Sequence, residues 1–175
     1  MHTFFSNLFF DEIEDIAPTP YELKQLIDVD LDDVAQRRAR DLYLLNIEIG
    51  QRIETLLRID PKNSIQIDGG IAYTGVPAKT NGKKVTPVII EEINIKTFHT
   101  YFPWHKSVKN KNIDSEATIL RGLLKTVAKK AGLNRELTTR KMNGKKTSTI
   151  EKVELRQVLD FKSCRNYSIT EYSSI

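Results

Sequence analysis

The chain has 175 residues, 39% apolar and 29% charged, enough for one domain with a real core and too polar for a membrane span of ~20 apolar residues. Its one cysteine, Cys164, excludes an internal disulfide and points to a reducing, cytoplasmic setting. The net charge of +4 hides an asymmetry: residues 1–33 carry nine acids against one Lys, whereas residues 105–146 carry twelve Lys or Arg against three acids. A basic half of this kind is an electrostatic footprint for nucleic acid, or else a solvated surface.

Residues 1–17 read as a tail. Their apolar patch lacks the basic start and small-residue cleavage site of a signal peptide. Thr19, Pro20 and Glu22 then open a helix, as cap, first helical residue and far side of a capping box. The spacing predicts a longer helix from about Leu31 to Leu57, with a stripe of Leu42, Leu44, Leu45, Ile49, Ile53 and Leu56. Arg52 interrupts that stripe between Ile49 and Ile53, where a guanidinium needs a partner, and a phosphate suits it.

Short strands follow through residue 90, with turns at Gly69-Gly70 and Asn81-Gly82. "EEINIKTFHTYFP" returns to helix and stops before Pro103; Tyr101, Phe102 and Trp104 read as core. "DSEATILRGLLKTVAKKAG" is a helix with Ile119, Leu120, Leu123, Leu124 and Val127 on one face and Gly132 as its stop. A hairpin rich in Thr and Lys turns at Asn143-Gly144. "VLDFKSCRNYSITEYSSI" begins a final helix.

Four stretches, in this order, resemble the catalytic domain of tyrosine recombinases, the phage-type integrases, and in particular their bacteroidetes subgroup. "RARDLYLLNIEIGQRIETLLRI" is similar to the helix ending in T-G-x-R-x-S-E/D-L, which puts Arg52 at the first catalytic arginine and Glu54 at the acidic position after it. "KTNGKKVTPVI" is similar to the hairpin that carries the catalytic lysine, here Lys79. "LLKTVAKKAGLNRELTTRKMNGKKTSTIEKVEL" resembles the helix, A-G-I/L turn and basic insertion before the next box. "KSCRNYSIT" resembles the H-x-x-R box, with Lys162 in place of the usual His and Arg165 at the second arginine. Type IB topoisomerases also use K-x-x-R there. The resemblance covers about residues 18–171, read as a partial catalytic domain over 18–175.

The resemblance implies an α+β, mainly α fold with a small three-stranded antiparallel sheet. Its chemistry suits the residues. A phosphodiester under attack gathers charge on its non-bridging oxygens, and two arginine forks stabilise that charge. Lys79 would protonate the departing oxygen, Lys162 would donate to the same phosphate, and Glu54 would orient the cluster. Lys83, Lys84, Arg140, Lys141, Lys145 and Lys146 are the DNA-contact candidates. Beside these roles stand plainer ones. Arg52 would pair with Glu48 or Glu54 on its own helix; Lys79 would be a turn lysine no different in type from Lys83 and Lys84; Lys162, Arg165 and the basic hairpin would be solvated.

The family's nucleophilic tyrosine lies some thirty residues past the second arginine. Tyr167 and Tyr172 are too close to fill that place, so the chain reads as a truncated domain that holds DNA without cleaving it alone. The missing last helix would leave apolar surface bare, which predicts a homo-oligomer. Double-stranded DNA is the expected partner; no cofactor, metal or membrane is implied, and His2, His99 and His105 lack metal-ligand spacing. Two other functions compete. One is a non-enzymatic DNA-binding or interaction remnant. The other is a Mg²⁺-dependent nuclease of the PD-(D/E)xK kind using Asp68, Glu92 and Lys96, against which the helical reading of residues 91–102 counts.

Overall fold

The computed structural model describes residues 16–73, 88–104, 112–143 and 147–164, and of residues 88, 93, 140–143, 147 and 148 the backbone alone. It is mainly helical. Helix α1 (Pro20–Asp28) starts as its sequence dictates: the Thr19 hydroxyl accepts from the Glu22 N–H at 3.2 Å, and Glu22 accepts from the Thr19 N–H at 2.7 Å. Helix α2 (Val34–Ile49), capped by Asp33, buries Ala39, Leu42, Tyr43, Leu45, Asn46 and Ile49. Leu44, expected in the stripe, is only half-buried.

The long helix predicted to reach Leu57 ends at Gly50. That residue takes the left-handed conformation, φ 64°, which a residue with a Cβ adopts only at a cost. The chain restarts as a four-residue helix, α3 (Ile53–Leu56), which keeps Ile53 and Leu56 in the core.

A three-stranded antiparallel sheet follows, β1 (Ser64–Ile67), β2 (Gly70–Tyr73) and β3 (Val88–Glu91), in that order. Ile67 pairs with Gly70, so the turn residues are Asp68 and Gly69, and Gly69 has φ 76°. Gly70 itself belongs to the strand. A Cβ there would run into the Ile90 carbonyl oxygen, so β2 and β3 approach closely only because it has none. The Asn81-Gly82 turn lies outside the described residues.

Helix α4 (Glu92–Tyr101) packs on this sheet and on α2. Phe98, Phe102 and Trp104 are buried, and the Arg38 guanidinium sits 5.4 Å from the Trp104 ring centre. Helix α5 (Ile113–Lys130) lies along α2 and buries Ala117, Leu120, Leu124, Val127 and Ala128. Its inner stripe is rotated from the predicted one: Ile119 is 50% exposed. The helix ends with the Leu133 N–H on the Ala128 carbonyl and Gly132 at φ 75°. Strands β4 (Glu136–Asn143) and β5 (Thr147–Glu154) form the predicted hairpin, followed by the short α6 (Leu155–Val158). The last described residues, Ser163 and Cys164, are helical.

Candidate nucleic-acid interface

Two segments far apart in sequence meet beside the C-terminal end of α2. The meeting point is Asn46, wholly buried. Its amide nitrogen donates to the Gln51 carbonyl at 2.9 Å and to the Phe161 carbonyl at 3.3 Å, and its oxygen accepts from the Gln51 N–H at 3.1 Å. One side chain thus ties the residue before Arg52 to the residue before Lys162. A buried amide with its groups satisfied in this way fixes a unique spacing.

Tyr43, one turn earlier, repeats the link. Its hydroxyl lies 2.8 Å from Ser163 Oγ. Ser163 gives its own proton to the Asp160 carbonyl at 2.6 Å, so Tyr43 is the donor. The Cys164 thiol donates to the Tyr43 carbonyl. Burial pushes both the Tyr43 phenol and the Cys164 thiol well above their ordinary ranges, which keeps them neutral.

Arg52 is exposed and stands at the N-cap of α3. The expected burial of its guanidinium in a continuous helix is therefore corrected. The break at Gly50 rotates position 52 out of the stripe while Ile49 and Ile53 stay in. The two carboxylates that might have neutralised it have other partners: Glu48 accepts from the Asn94 amide and, at 3.3 Å, from the Glu91 N–H, and Glu54 accepts from Arg121 Nη2 at 2.5 Å.

Burial works to raise the Glu54 carboxyl, but the Arg121 hydrogen bond and the charges of Arg121 and Arg52 together hold it below the usual carboxylate range. Arg121 also reaches Asp160, Nε to Oδ1 3.5 Å. Asp160 Oδ1 in turn accepts from the Lys162 N–H at 3.4 Å, and the Lys162 side chain is exposed. Arg121 thus bridges Glu54 and Asp160, with exposed Arg52 two residues before Glu54 and exposed Lys162 two residues after Asp160 in the chain.

Lys79, Lys83 and Lys84 lie outside the described residues, as do Lys145, Lys146, Arg165, Tyr167 and Tyr172. Arg140 and Lys141 occupy paired positions of the hairpin, opposite Ile150 and Thr149. Glu92 and Lys96 lie on the expected helix rather than on the strand that a nuclease triad would need, and Asp68 lies in the β1–β2 turn. Among the described residues no group of three or more His, Cys, Asp or Glu converges to hold a metal, and no helix is long and apolar enough to cross a membrane.

The sequence reading missed Asn46 and Arg121. It also missed a second basic strip, an open groove lined by Lys125, Thr126 and Lys129 of α5 with Arg156 and Gln157 of α6. The signal for the strip was present: Arg121, Lys125 and Lys129 recur every four residues, which places them along one side of a helix.

Among solved structures the chain is similar to the XerH site-specific recombinase bound to its difH substrate before cleavage, with a TM-score of 0.57 and 13% identity over 99% of this chain and 47% of that one. It is similar to the same degree, TM-score 0.57 and 13% identity, to XerH bound to palindromic difH after cleavage, over 94% of this chain and 43% of that one. No family model matches the sequence, and a search among curated proteins finds no match. The chain spans less than half the length of the XerH chains. The likeness shows the fold: the chain has the predicted tyrosine-recombinase-like architecture, mainly α with a small antiparallel sheet.

Proposed function

We propose that this chain is the phosphate-holding domain of a site-specific DNA recombinase, and that double-stranded DNA is its partner. Arg52, from the corner between α2 and α3, and Lys162, from the segment after α6, grip one backbone phosphate, with Arg165 completing the clamp. Lys79 is the acid that protonates the leaving oxygen. Lys125, Lys129 and Arg156 follow the flanking backbone, together with the hairpin cations at Arg140 and Lys141. The observation that carries this reading is the Asn46 tether, which joins the residue before Arg52 to the residue before Lys162, with Tyr43 of the same helix bonded to Ser163. The tether holds at one spacing two segments that each carry an exposed cation, a spacing that an anion between those cations would use. Two converging donors on a pentacoordinate phosphate stabilise its charge best when they need no rearrangement.

The test is duplex binding across a range of salt. Arg52→Ala is expected to weaken binding by roughly tenfold and to lower the salt slope by about 1, as loss of one phosphate contact does. Unchanged affinity and slope would remove the phosphate from the site.

A second reading, binding without cleavage, is favoured by the described tyrosines near the core. Tyr43 is buried and bonded to Ser163, and Tyr101 donates to Asp41 at 2.8 Å, with burial and that carboxylate pushing its phenol up to about 12. Both hydroxyls are thus engaged within the fold. A nicked duplex trapped as a covalent adduct on a denaturing gel would decide for cleavage; a gel without adduct beside tight binding would decide for holding alone.

A further inference from the structure

Arg52 and Lys162 each have an anion two residues away in their own segments: Glu54 follows Arg52, and Asp160 precedes Lys162. Two such pairs cancel, and a phosphate approaching them would meet as many carboxylates as cations. A single guanidinium from a third element changes this. Arg121 of α5 holds Glu54 Oε1 at 2.5 Å through Nη2 and faces Asp160 Oδ1 at 3.5 Å through Nε. Its side chain is 34% exposed, less than a freely solvated arginine.

We propose that Arg121 is a positioning residue: it draws Glu54 and Asp160 away from the phosphate and sets the distance between the Arg52 and Lys162 segments. This rests on the phosphate-holding reading. With Arg121 in place the five groups carry one net positive charge, and both carboxylates have a partner other than the cations that must face DNA. Remove it, and Arg52 and Lys162 turn to the carboxylates two residues away in their own segments. The guanidinium suits the task because its planar edge serves two acceptors at once in a fixed geometry, which an ammonium cannot do. Its next-turn neighbour Lys125 opens the groove along α5, so the same row of side chains runs from the anchored carboxylates out onto the basic strip.

The experiment is fluorescence-anisotropy titration of a short duplex oligonucleotide at fixed salt, from about pH 4 to about pH 8, a range whose lower end reaches carboxylate protonation. The groups that face the site are Arg52, Glu54, Arg121, Asp160 and Lys162, with Lys125 beyond. Arg121→Met is expected to weaken binding by roughly tenfold at the upper end, the scale of a few screened charge contacts. In that variant the Glu54 carboxyl is released from the contact that holds it low, so acid restores binding more steeply than in the parent chain. Arg121→Lys recovers part of the loss. The triple change Arg121→Met, Glu54→Gln, Asp160→Asn recovers most of it, since no carboxylate then competes.

Arg121→Met with parental affinity and parental pH slope, alongside an Arg52→Ala that weakens binding, overturns the role of Arg121 alone. Arg52→Ala without effect at any pH overturns the phosphate site itself. If Arg121→Met does not fold, Glu54→Gln with Asp160→Asn serves: tighter duplex binding supports the proposal and unchanged binding refutes it.

Discussion

Among the described residues two arginine–glutamate pairs are long-range, Arg135–Glu22 and Arg121–Glu54, and they differ in what they are tied to. Arg135 meets Glu22 across 113 residues, Nε to Oε1 2.9 Å and Nη2 to Oε2 3.2 Å, and also donates to the Ala17 carbonyl at 2.8 Å. Glu22 is 5% exposed and already serves the cap of α1. Arg121 meets Glu54 across 67 residues with both side chains about one-third exposed, and its second partner is another carboxylate rather than a backbone carbonyl. The first pair finishes a hydrogen-bond set that the fold needs. The second gathers negative charge beside two exposed cations. The same chemistry thus serves folding in one place and, on the reading proposed here, ligand access in the other. What separates them is burial and the identity of the third partner.

The largest expected effect tests whether the fold and the site meet at one residue. Asn46→Ala leaves the Gln51 N–H and carbonyl and the Phe161 carbonyl without their partner. Each buried orphan costs about 1–3 kcal/mol, and partial relaxation brings the sum to about 3 kcal/mol in urea unfolding. Duplex binding should fall with it in the surviving folded fraction, because the Arg52 and Lys162 segments lose their tether. Full stability in the variant would show that the tether is redundant with Tyr43 and Ser163.

Next comes Arg135→Met. It strands a nearly buried carboxylate, and a loss of about 2 kcal/mol is expected, less than for a fully buried pair because Arg135 itself is partly exposed. Duplex affinity should not change. A fall in affinity without a fall in stability would erase the distinction drawn between the two pairs.

Acid separates the pairs further. Burial acts to raise the Glu22 carboxyl, but its bonds to Arg135 and Thr19 outweigh that and hold it below the unfolded value of 4.5. A lowered folded pKa means that the ionised form favours folding. Its contribution is whole above pH 4.5 and is lost as pH falls through the lower folded value. Glu54 has the same sign. The contribution of each of these two carboxylates to unfolding free energy should therefore drop on acidification. Glu22→Gln should flatten that drop, and Glu54→Gln should flatten it less, since solvent screens the Glu54 carboxylate more. Equal flattening would mean that the Glu54 contact carries as much stability as the buried one.

Much of this was legible in the chain. The cap of α1 is written in Thr19, Pro20 and Glu22, and the pairing of β4 with β5 in two Thr-rich stretches, although Gly144 of the expected turn lies outside the described residues and Asn143 pairs with Thr147 inside the strands. The small sheet followed from a glycine pair, although its turn residues are Asp68 and Gly69 and the second glycine serves close packing against Ile90. The end of α2 was hidden because Ile49, Ile53 and Leu56 keep a helical period across Gly50, so the apolar pattern reads straight through the break. Only the left-handed Gly50 and the exposure of Arg52 show that two helices share that pattern. Arg121 was invisible as a partner, since nothing in local sequence links position 121 to 54 or 160. Periodicity reports which side of a helix is apolar; it is silent on which carboxylate a cation on the other side will find.

The smallest expected effect is the one that most sharpens the contrast. Arg121→Met removes an ion pair whose members are both about one-third exposed. Such pairs contribute about 0–1 kcal/mol, because water already solvates the separated charges and the paired geometry costs side-chain entropy. The Met side chain retains most of the apolar contact that the arginine stem makes along α5. Unfolding free energy should therefore fall by about 0.5 kcal/mol, within reach of a careful urea titration. A loss as large as that of Arg135→Met would mean that Arg121 holds the α3 and Asp160 segments in place for folding, and its effect on DNA would then be a consequence of lost structure. A small loss beside a tenfold change in duplex affinity would separate the two pairs: the same two residue types, buried and cap-linked at Glu22, partly exposed and carboxylate-sharing at Glu54.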